Sequence, residues 1–254
     1  TTQWRFATDD PPAIDSIAPT NGSTLSSADE NLVIEFDQDI QLGTSGSLRI
    51  RYANADGARF QAIGVDETEY INIVDSVMTI SHLAFKPDTG YHVLMDEGFA
   101  VSSSSGISHP GIQDTTQWTL TAPSGPVIEA YEPANNSVDI PVDSVLTLTF
   151  DENIATGTGN LTIRRQSDNS DVTTISASSS SLIIDNNTMA VENLSMPHET
   201  TLYVTIDAGF VQSASTGFGF QGISDVDEWV FTTLPEPPAW INEFPAFEAI
   251  TPDN

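Results

Sequence analysis

The chain has no cysteine, only 7 basic residues, of which Lys86 is the one lysine, and no long apolar run. Without cysteine, no disulfide can stabilise the fold. Without a stretch of about 18 apolar residues, no transmembrane helix is predicted. The scarcity of basic side chains also argues against a nucleic-acid partner, because binding to nucleic acid requires that phosphate charge be neutralised.

Acidic residues dominate instead, with 36 of them giving a formal net charge of −29. Such a charge would be repelled by an anionic membrane surface. The simplest interpretation is a solvated acidic surface that keeps an extracellular protein soluble, and a saline habitat would produce the same bias. The sharper interpretation is dependence on a divalent cation, because carboxylates are the ligands that calcium prefers.

One pattern occurs twice in the chain. The alternating run Leu-Val-Ile-Glu-Phe36 is followed by an Asp-Gln-Asp-Ile turn, and Leu-Thr-Leu-Thr-Phe150 is followed by Asp-Glu-Asn-Ile. The offset is 150 − 36 = 114 residues, and the flanking segments recur in the same order. A period of this length indicates tandem domains, each long enough to bury its own core.

A third partial copy stands at the start of the sequence, because Thr-Thr-Gln-Trp4 matches Thr-Thr-Gln-Trp118 at the same offset of 114. Residues 1–8 are therefore expected to be the last strand of a preceding repeat. We divide the rest into repeat 1 (9–123), repeat 2 (124–234) and a proline-rich segment (235–254) that begins something else. We call the two repeats unit one and unit two.

Short runs of alternating apolar and polar residues, separated by turn signals, predict strands. They lie at 32–36, 47–52, 58–65, 70–74, 77–80, 91–95 and 117–121 in unit one, and at 146–150, 160–165, 172–176, 181–184, 189–191, 201–206 and 229–233 in unit two. No segment has a helical period of useful length. The predicted fold class is all-β, with two tandem antiparallel β-sandwiches.

The order of motifs resembles the bacterial Ig-like repeat of S-layer (SbsA-like) type, found in large adhesins and multidomain secreted proteins. The residues that carry the resemblance run from Val-Asp-Ser144 through Phe-Asp-Glu152 and Gly-Asn-Leu-Thr-Ile163 to Trp229-Val-Phe-Thr-Thr. Unit two fits this pattern more closely than unit one. Trp-Ile-Asn-Glu-Phe244 also resembles the opening of a lamin-tail-type domain. The resemblance implies two tandem Ig-like antiparallel β-sandwiches, a secreted or cell-surface location, a spacer role and no catalytic residues.

Motifs for catalysis are missing, since the sequence has no Gly-x-Ser-x-Gly elbow, no phosphate-binding glycine loop and no zinc-like spacing of its four histidines. Calcium is the cofactor that the composition leaves open. In an Ig-like topology the acidic turns would converge near each linker, with Glu97, Asp9 and Asp10 nearby in unit one, and a divalent ion would relieve their mutual repulsion. The candidate ligands are Asp37, Asp39, Asp96, Asp114, Asp151, Glu152, Asp207, Asp225 and Asp227. The alternative is that these carboxylates cap turns and face solvent.

Two further features could serve binding. Trp4, Trp118 and Trp229 recur at one place in a strand and are expected in the core, whereas Trp240 lies outside the repeat and is the better candidate for an exposed ring. The serine-rich loops 101–109 and 212–220 differ between the units, as surface tips do.

Taken together, the sequence predicts a non-catalytic extender whose partners are neighbouring repeats of the same chain. The alternatives are a module that binds a glycan or a surface protein, and an accessory domain of an extracellular hydrolase.

Overall fold

The computed structural model describes residues 9–54 and 56–238. The predicted orphan strand at 1–8 and most of the segment at 235–254, including Trp240, therefore lie outside the described residues. Over the described ranges the chain forms 22 strands and one 3-10 turn, Thr68–Tyr70. No helix in these ranges is long and apolar enough to cross a membrane.

Unit one contains eleven strands. They are β1 (Ile14–Ala18), β2 (Ser23–Thr24), β3 (Leu32–Phe36), β4 (Ile40–Leu42), β5 (Ser47–Tyr52), β6 (Arg59–Gly64), β7 (Ile71–Val74), β8 (Val77–Ile80), β9 (Gly90–Met95), β10 (Ala100–Ser102) and β11 (Thr119–Thr121).

The strands of unit two follow in the same order. They are β12 (Ile128–Glu132), β13 (Ser137–Ile140), β14 (Leu146–Phe150), β15 (Ile154–Thr156), β16 (Asn160–Arg165), β17 (Asp171–Ser176), β18 (Leu182–Asp185), β19 (Thr188–Val191), β20 (Thr201–Ile206), β21 (Val211–Ser213) and β22 (Val230–Thr233).

Each unit is a sandwich of two sheets joined by a two-stranded ribbon. In unit one a sheet of order β1-β3-β8-β7 faces a sheet of order β2-β11-β9-β5-β6, and β4 pairs with β10. Unit two repeats this with β12-β14-β19-β18, β13-β22-β20-β16-β17 and β15-β21. Neighbouring strands are antiparallel except β2 with β11 and β13 with β22, which run parallel. The fold class predicted from the sequence is confirmed: two tandem Ig-like sandwiches.

Period-2 alternation places one face of each strand in the core. Leu32, Ile34 and Phe36 of β3 are buried while Glu35 between them is exposed, and Leu146, Leu148 and Phe150 of β14 follow the same pattern. The two core clusters are separate in sequence, one built from residues 25–122 and the other from residues 146–231. A single residue breaks this division, because Phe218 of unit two belongs to the core cluster of unit one.

Candidate functional site

The junction between the units is organised by the loop 213–220 of unit two, which we call the plug loop. Its Phe218 is fully buried and packs in the core cluster of unit one. Phe220, two residues further on, belongs to the core of unit two, so two aromatic residues of one loop pack in two different domains. Burial of an aromatic side chain of this size is the main apolar contribution that a short loop can make to a domain contact.

Polar contacts fix the plug loop in place. The backbone amide of Ala28, in the loop between β2 and β3, donates to the carbonyl oxygen of Thr216 at 2.8 Å. The side-chain amide of Gln221 donates to Oδ2 of Asp88 at 3.1 Å. We call this end of unit one, which carries Ala28, Phe85 and Asp88, its C-terminal pole, and the opposite end its N-terminal pole.

The linker 123–126 runs close to the plug loop. Gly125 is buried, and a Cβ atom at that position would lie 2.0 Å from the carbonyl oxygen of Gly219. Only glycine permits an approach this close. The amide of Asp88 donates to the carbonyl oxygen of Pro123 at 3.0 Å, which ties the linker to the C-terminal pole. The junction is therefore held by the plug loop and by its linker at once.

The predicted calcium ligands at the two linkers occupy equivalent positions. Oδ1 of Asp37 accepts the amide of Ala13 at 2.9 Å, and Oδ1 of Asp151 accepts the amide of Val127 at 2.8 Å. In both units the carboxylate therefore binds the first residue after the linker. The prediction that these two side chains lie beside the incoming chain agrees with their positions.

The next pair of carboxylates closes the start of a strand. Oδ2 of Asp96 accepts both the amide and the hydroxyl of Ser47, and its Oδ1 pairs with Arg49. Oδ2 of Asp207 accepts the amide of Asn160 at 2.8 Å. In each case one carboxylate oxygen already satisfies a backbone donor at the beginning of β5 or β16.

The remaining candidates also serve local turns. Oδ1 of Asp114 accepts the amide and hydroxyl of Thr116, and these bonds lower the pKa of Asp114. Oδ1 of Asp225 accepts the amide of Asp227, and Oε2 of Glu152 accepts the hydroxyl of Ser213. Asp39 contributes its carbonyl oxygen to the amide of Ser103.

Within residues 9–54 and 56–238, no three His, Asp or Glu side chains form a group that could hold a metal ion. Calcium binding at the nine candidate carboxylates stays a prediction.

The two tryptophans of the described residues, Trp118 and Trp229, lie in the core directly before β11 and β22. Trp118 and Trp229 are fully buried, and their Nε1 atoms donate at 2.8 Å to the carbonyl oxygens of Pro19 and Pro133 respectively. Neither ring is available to stack on a sugar. The core interpretation is therefore confirmed for these two residues, while Trp4 lies outside the described residues.

Two titratable side chains with shifted pKa values, His109 and Tyr131, lie near Trp118 and Trp229 respectively. His109 is buried, accepts the amide of Gly111 on Nδ1 at 2.8 Å and packs edge-on against Phe36; desolvation lowers its pKa, partly opposed by the charge of Asp37. In unit two, Phe220 packs in the same way against Phe150. Desolvation, together with a hydrogen bond to Glu228, raises the pKa of Tyr131 to about 12. His109 is thus buried in unit one, and Tyr131 packs against the core of unit two.

Sequence reasoning placed the two serine-rich loops on the surface and did not find the plug. The signal that was available is the apolar pair in Gly-Phe218-Gly-Phe220, which is unlike the rest of a serine-rich loop. What the sequence could not show is which domain each phenylalanine enters.

The fold and the junction define the class of protein: a tandem array of two Ig-like sandwiches joined end to end. The bacterial Ig-like domain family model matches residues 8–122 and again residues 122–233. The chain therefore belongs to the bacterial Ig-like domain family. The S-layer type and the lamin-tail segment are finer predictions on which this match is silent.

Solved structures of several multidomain segments are also similar to the chain. Extracellular domains 3–5 of Drosophila OTK share 12% identity, covering 90% of this chain and 67% of that one, with a TM-score of 0.24. The tandem Ig repeats of Dlar share 12% identity over 89% and 99% with a TM-score of 0.22, and the FN1–FN3 domains of chicken CNTN1 share 13% over 83% and 69% with a TM-score of 0.25. Scores of this size carry no argument about function. No curated protein matches the chain in sequence.

Proposed function

We propose that the two units are a non-catalytic extender of a secreted or cell-surface bacterial protein, holding neighbouring domains at a set distance and angle. The observation that carries this is the junction, where Phe218 of unit two is buried in the core cluster of unit one. An extender must resist bending at its joints. A buried aromatic residue and a backbone hydrogen bond on the same loop both oppose a change in the angle between the two units.

Family membership supports the same proposal. Ig-like domains are used generally as rigid, non-catalytic modules, and the chemistry found at the described titratable groups is that of turns and cores. A surface of charge −29 also keeps a long extracellular array soluble and limits association between copies.

Calcium stiffening is a finer part of the proposal. Asp37 and Asp151 each bind the first residue after a linker, so an ion held there would act directly on a joint. Phe218 offers stiffness by a different route, because apolar burial requires no ion. The two routes separate experimentally.

The test is small-angle scattering of the full chain, measured with free calcium well above about 10⁻³ M, the weakest dissociation constant of extracellular calcium modules, and again with a chelator. An extender held by the plug gives one elongated particle of constant maximum dimension in both. A calcium-stiffened extender lengthens when calcium is added. A particle that samples many lengths in both conditions would contradict the proposal.

A further inference from the structure

The serine-rich loop of unit one, residues 102–109, has the same backbone conformation as the plug loop. The amide of Ser102 donates to the carbonyl oxygen of Ile107 at 2.9 Å, as Ser213 does to Phe218 at 2.8 Å. The amide of Gly106 donates to the carbonyl oxygen of Ser102, as that of Gly217 does to Ser213. Gly106 and Gly217 also share a left-handed backbone, with φ of +72° and +74°.

Ile107 therefore stands where Phe218 stands, but nothing from another unit covers it. It is half-buried, whereas Phe218 is fully buried. A Cβ atom on Gly217 would lie 3.8 Å from Cβ of Ala28 across the junction, whereas one on Gly106 would meet nothing within 4 Å. Unit one thus presents a partly exposed apolar side chain, on a loop of the same conformation, at the place where unit two buries Phe218.

A second feature of the same pole points the same way. An open hollow of about 460 Å³ is lined by Pro11, Pro12, His109, Ile112 and Trp118 of unit one. The equivalent hollow of unit two is about 250 Å³, and Asp88 of unit one is part of its wall. Part of the wall of the hollow in unit two is therefore supplied by the unit that precedes it.

We propose that the N-terminal pole of unit one is a docking surface for the C-terminal pole of another Ig-like unit ahead of it in the chain, with Ile107 as the plug. The junction between unit one and unit two is the model for this contact, since there the C-terminal pole of one unit receives the loop of the next. The sequence is consistent with it, since residues 1–8 match the closing strand 115–122, and four residues separate either segment from Ala13 or from Val127.

The two junctions differ in detail. Pro110 stands at the place of Gln221, so the bond to a residue such as Asp88 is lost, and the contact is more apolar. Pro11 stands at the place of Gly125, where a Cβ atom would lie 2.0 Å from the carbonyl oxygen of Gly219. A proline cannot approach its loop as closely as this glycine does. Isoleucine also fills less space than phenylalanine. We therefore expect a docked joint that is weaker than the one at Phe218.

This inference deepens the proposed extender role and rests on it. The absence of cysteine makes disulfide trapping a clean test. In the full chain, the pair Ala28→Cys and Gly217→Cys has a Cβ separation of 3.8 Å, which is near the mean for a disulfide, and should close on mild oxidation. This pair reports the junction that the proposed function requires.

The docking surface is tested in a three-unit chain, made by placing a second copy of residues 9–122 ahead of Asp9. Ala28→Cys in the leading copy is combined with Gly106→Cys in the next unit. The matched control replaces Gly106→Cys by Gly57→Cys, which has the same left-handed backbone and open space but lies in the β5–β6 hairpin. We expect the Gly106 pair to close at least about tenfold faster than the control pair, because docking raises the effective concentration of the two thiols.

Ile107→Asp in the three-unit chain should lower closure of the Gly106 pair to the control rate. If the Gly106 pair closes no faster than the control while the Gly217 pair of the full chain closes, the docking surface is refuted and the extender stands. If Ile107→Asp leaves fast closure unchanged, the plug role of Ile107 is refuted. Failure of the Gly217 pair itself would overturn the proposed function as well.

Discussion

Replacing Phe218 by alanine should release unit two from unit one while each sandwich stays folded. The side chain is fully buried in the core cluster of a domain to which its own loop does not otherwise belong. The two units can separate when this side chain is removed. The substitution should therefore change the free energy of docking between the units more than the free energy of unfolding of either unit.

The magnitude follows from the contacts. Burial of a phenylalanine side chain contributes about 1.5–3 kcal/mol. The hydrogen bond from the amide of Ala28 to the carbonyl oxygen of Thr216 adds about 1 kcal/mol. Together these give a coupling of about 2.5–4 kcal/mol, and loss of it would raise the undocked fraction by about 60- to 700-fold.

Hydrogen exchange measured by mass spectrometry separates the two units by their peptides. The amide of Ala28 is protected by its bond across the junction, so Phe218→Ala should speed exchange in the peptide that contains Ala28 and leave the sheets of both units protected. The control is Phe210→Ala, a fully buried residue of unit two's own core, which should expose unit two instead. Unchanged exchange at Ala28 in Phe218→Ala would refute the reasoning.

Four further predictions follow from single sites. His109→Phe should remove an acid sensitivity of unit one. The pKa of His109 is lowered in the folded state, so below the ordinary pKa of 6.5 the unfolded state binds more protons, and the stability that is present above that pH is lost as the pH falls further. Thermal melting of parent and variant at pH 5 and at pH 7.5 measures this loss. A loss of stability as large in the variant as in the parent would contradict this. Trp229→Phe should cost about 1–3 kcal/mol by leaving the carbonyl oxygen of Pro133 unpaired, seen as a lower urea midpoint of unit two; an unchanged midpoint would show that the bond contributes nothing. Gly222→Ala should destabilise unit two by more than about 1 kcal/mol, since φ is +88° and a Cβ would lie 2.5 Å from the carbonyl oxygen of Ile206. Gly57→Ala, with open space at φ +51°, is its milder control, and equal losses would argue against the steric reason. Raising sodium chloride from about 0.1 to 1 M should raise the melting temperature, because the Debye length falls from about 10 to 3 Å and the repulsion within a charge of −29 is screened. A constant or falling melting temperature would indicate that the repulsion does not limit stability.

The sequence predicted the strands that alternate cleanly and missed those that do not. β3, β5, β8, β14, β16 and β20 begin and end where the pattern places them. β1 and β12 were not predicted, because a register shift after Ile14 and after Ile128 breaks the period of two. β4, β10, β15 and β21 are three-residue strands, which are too short to carry a periodic signal.

The candidate site was only partly accessible to sequence reasoning. Repetition of Asp37 and Asp151 at one offset indicated that they meet the linker, and both do. Burial of Phe218 in the other domain could not be predicted, since periodicity describes contacts within a strand's own sheet. The burial of Phe218 depends on a contact between the plug loop and the C-terminal pole of unit one, which is visible only in the folded structure.

The central claim is that Phe218 fixes the two units relative to each other. It is tested most directly by the distance between spin labels on Asp15→Cys and Glu129→Cys, which are exposed equivalent positions of the two units in a chain without other cysteines. We predict a single narrow distance distribution in the presence of a chelator, and a broader one in Phe218→Asp under the same conditions. A broad distribution in the parent chain, or a narrow one that survives Phe218→Asp, would contradict the claim.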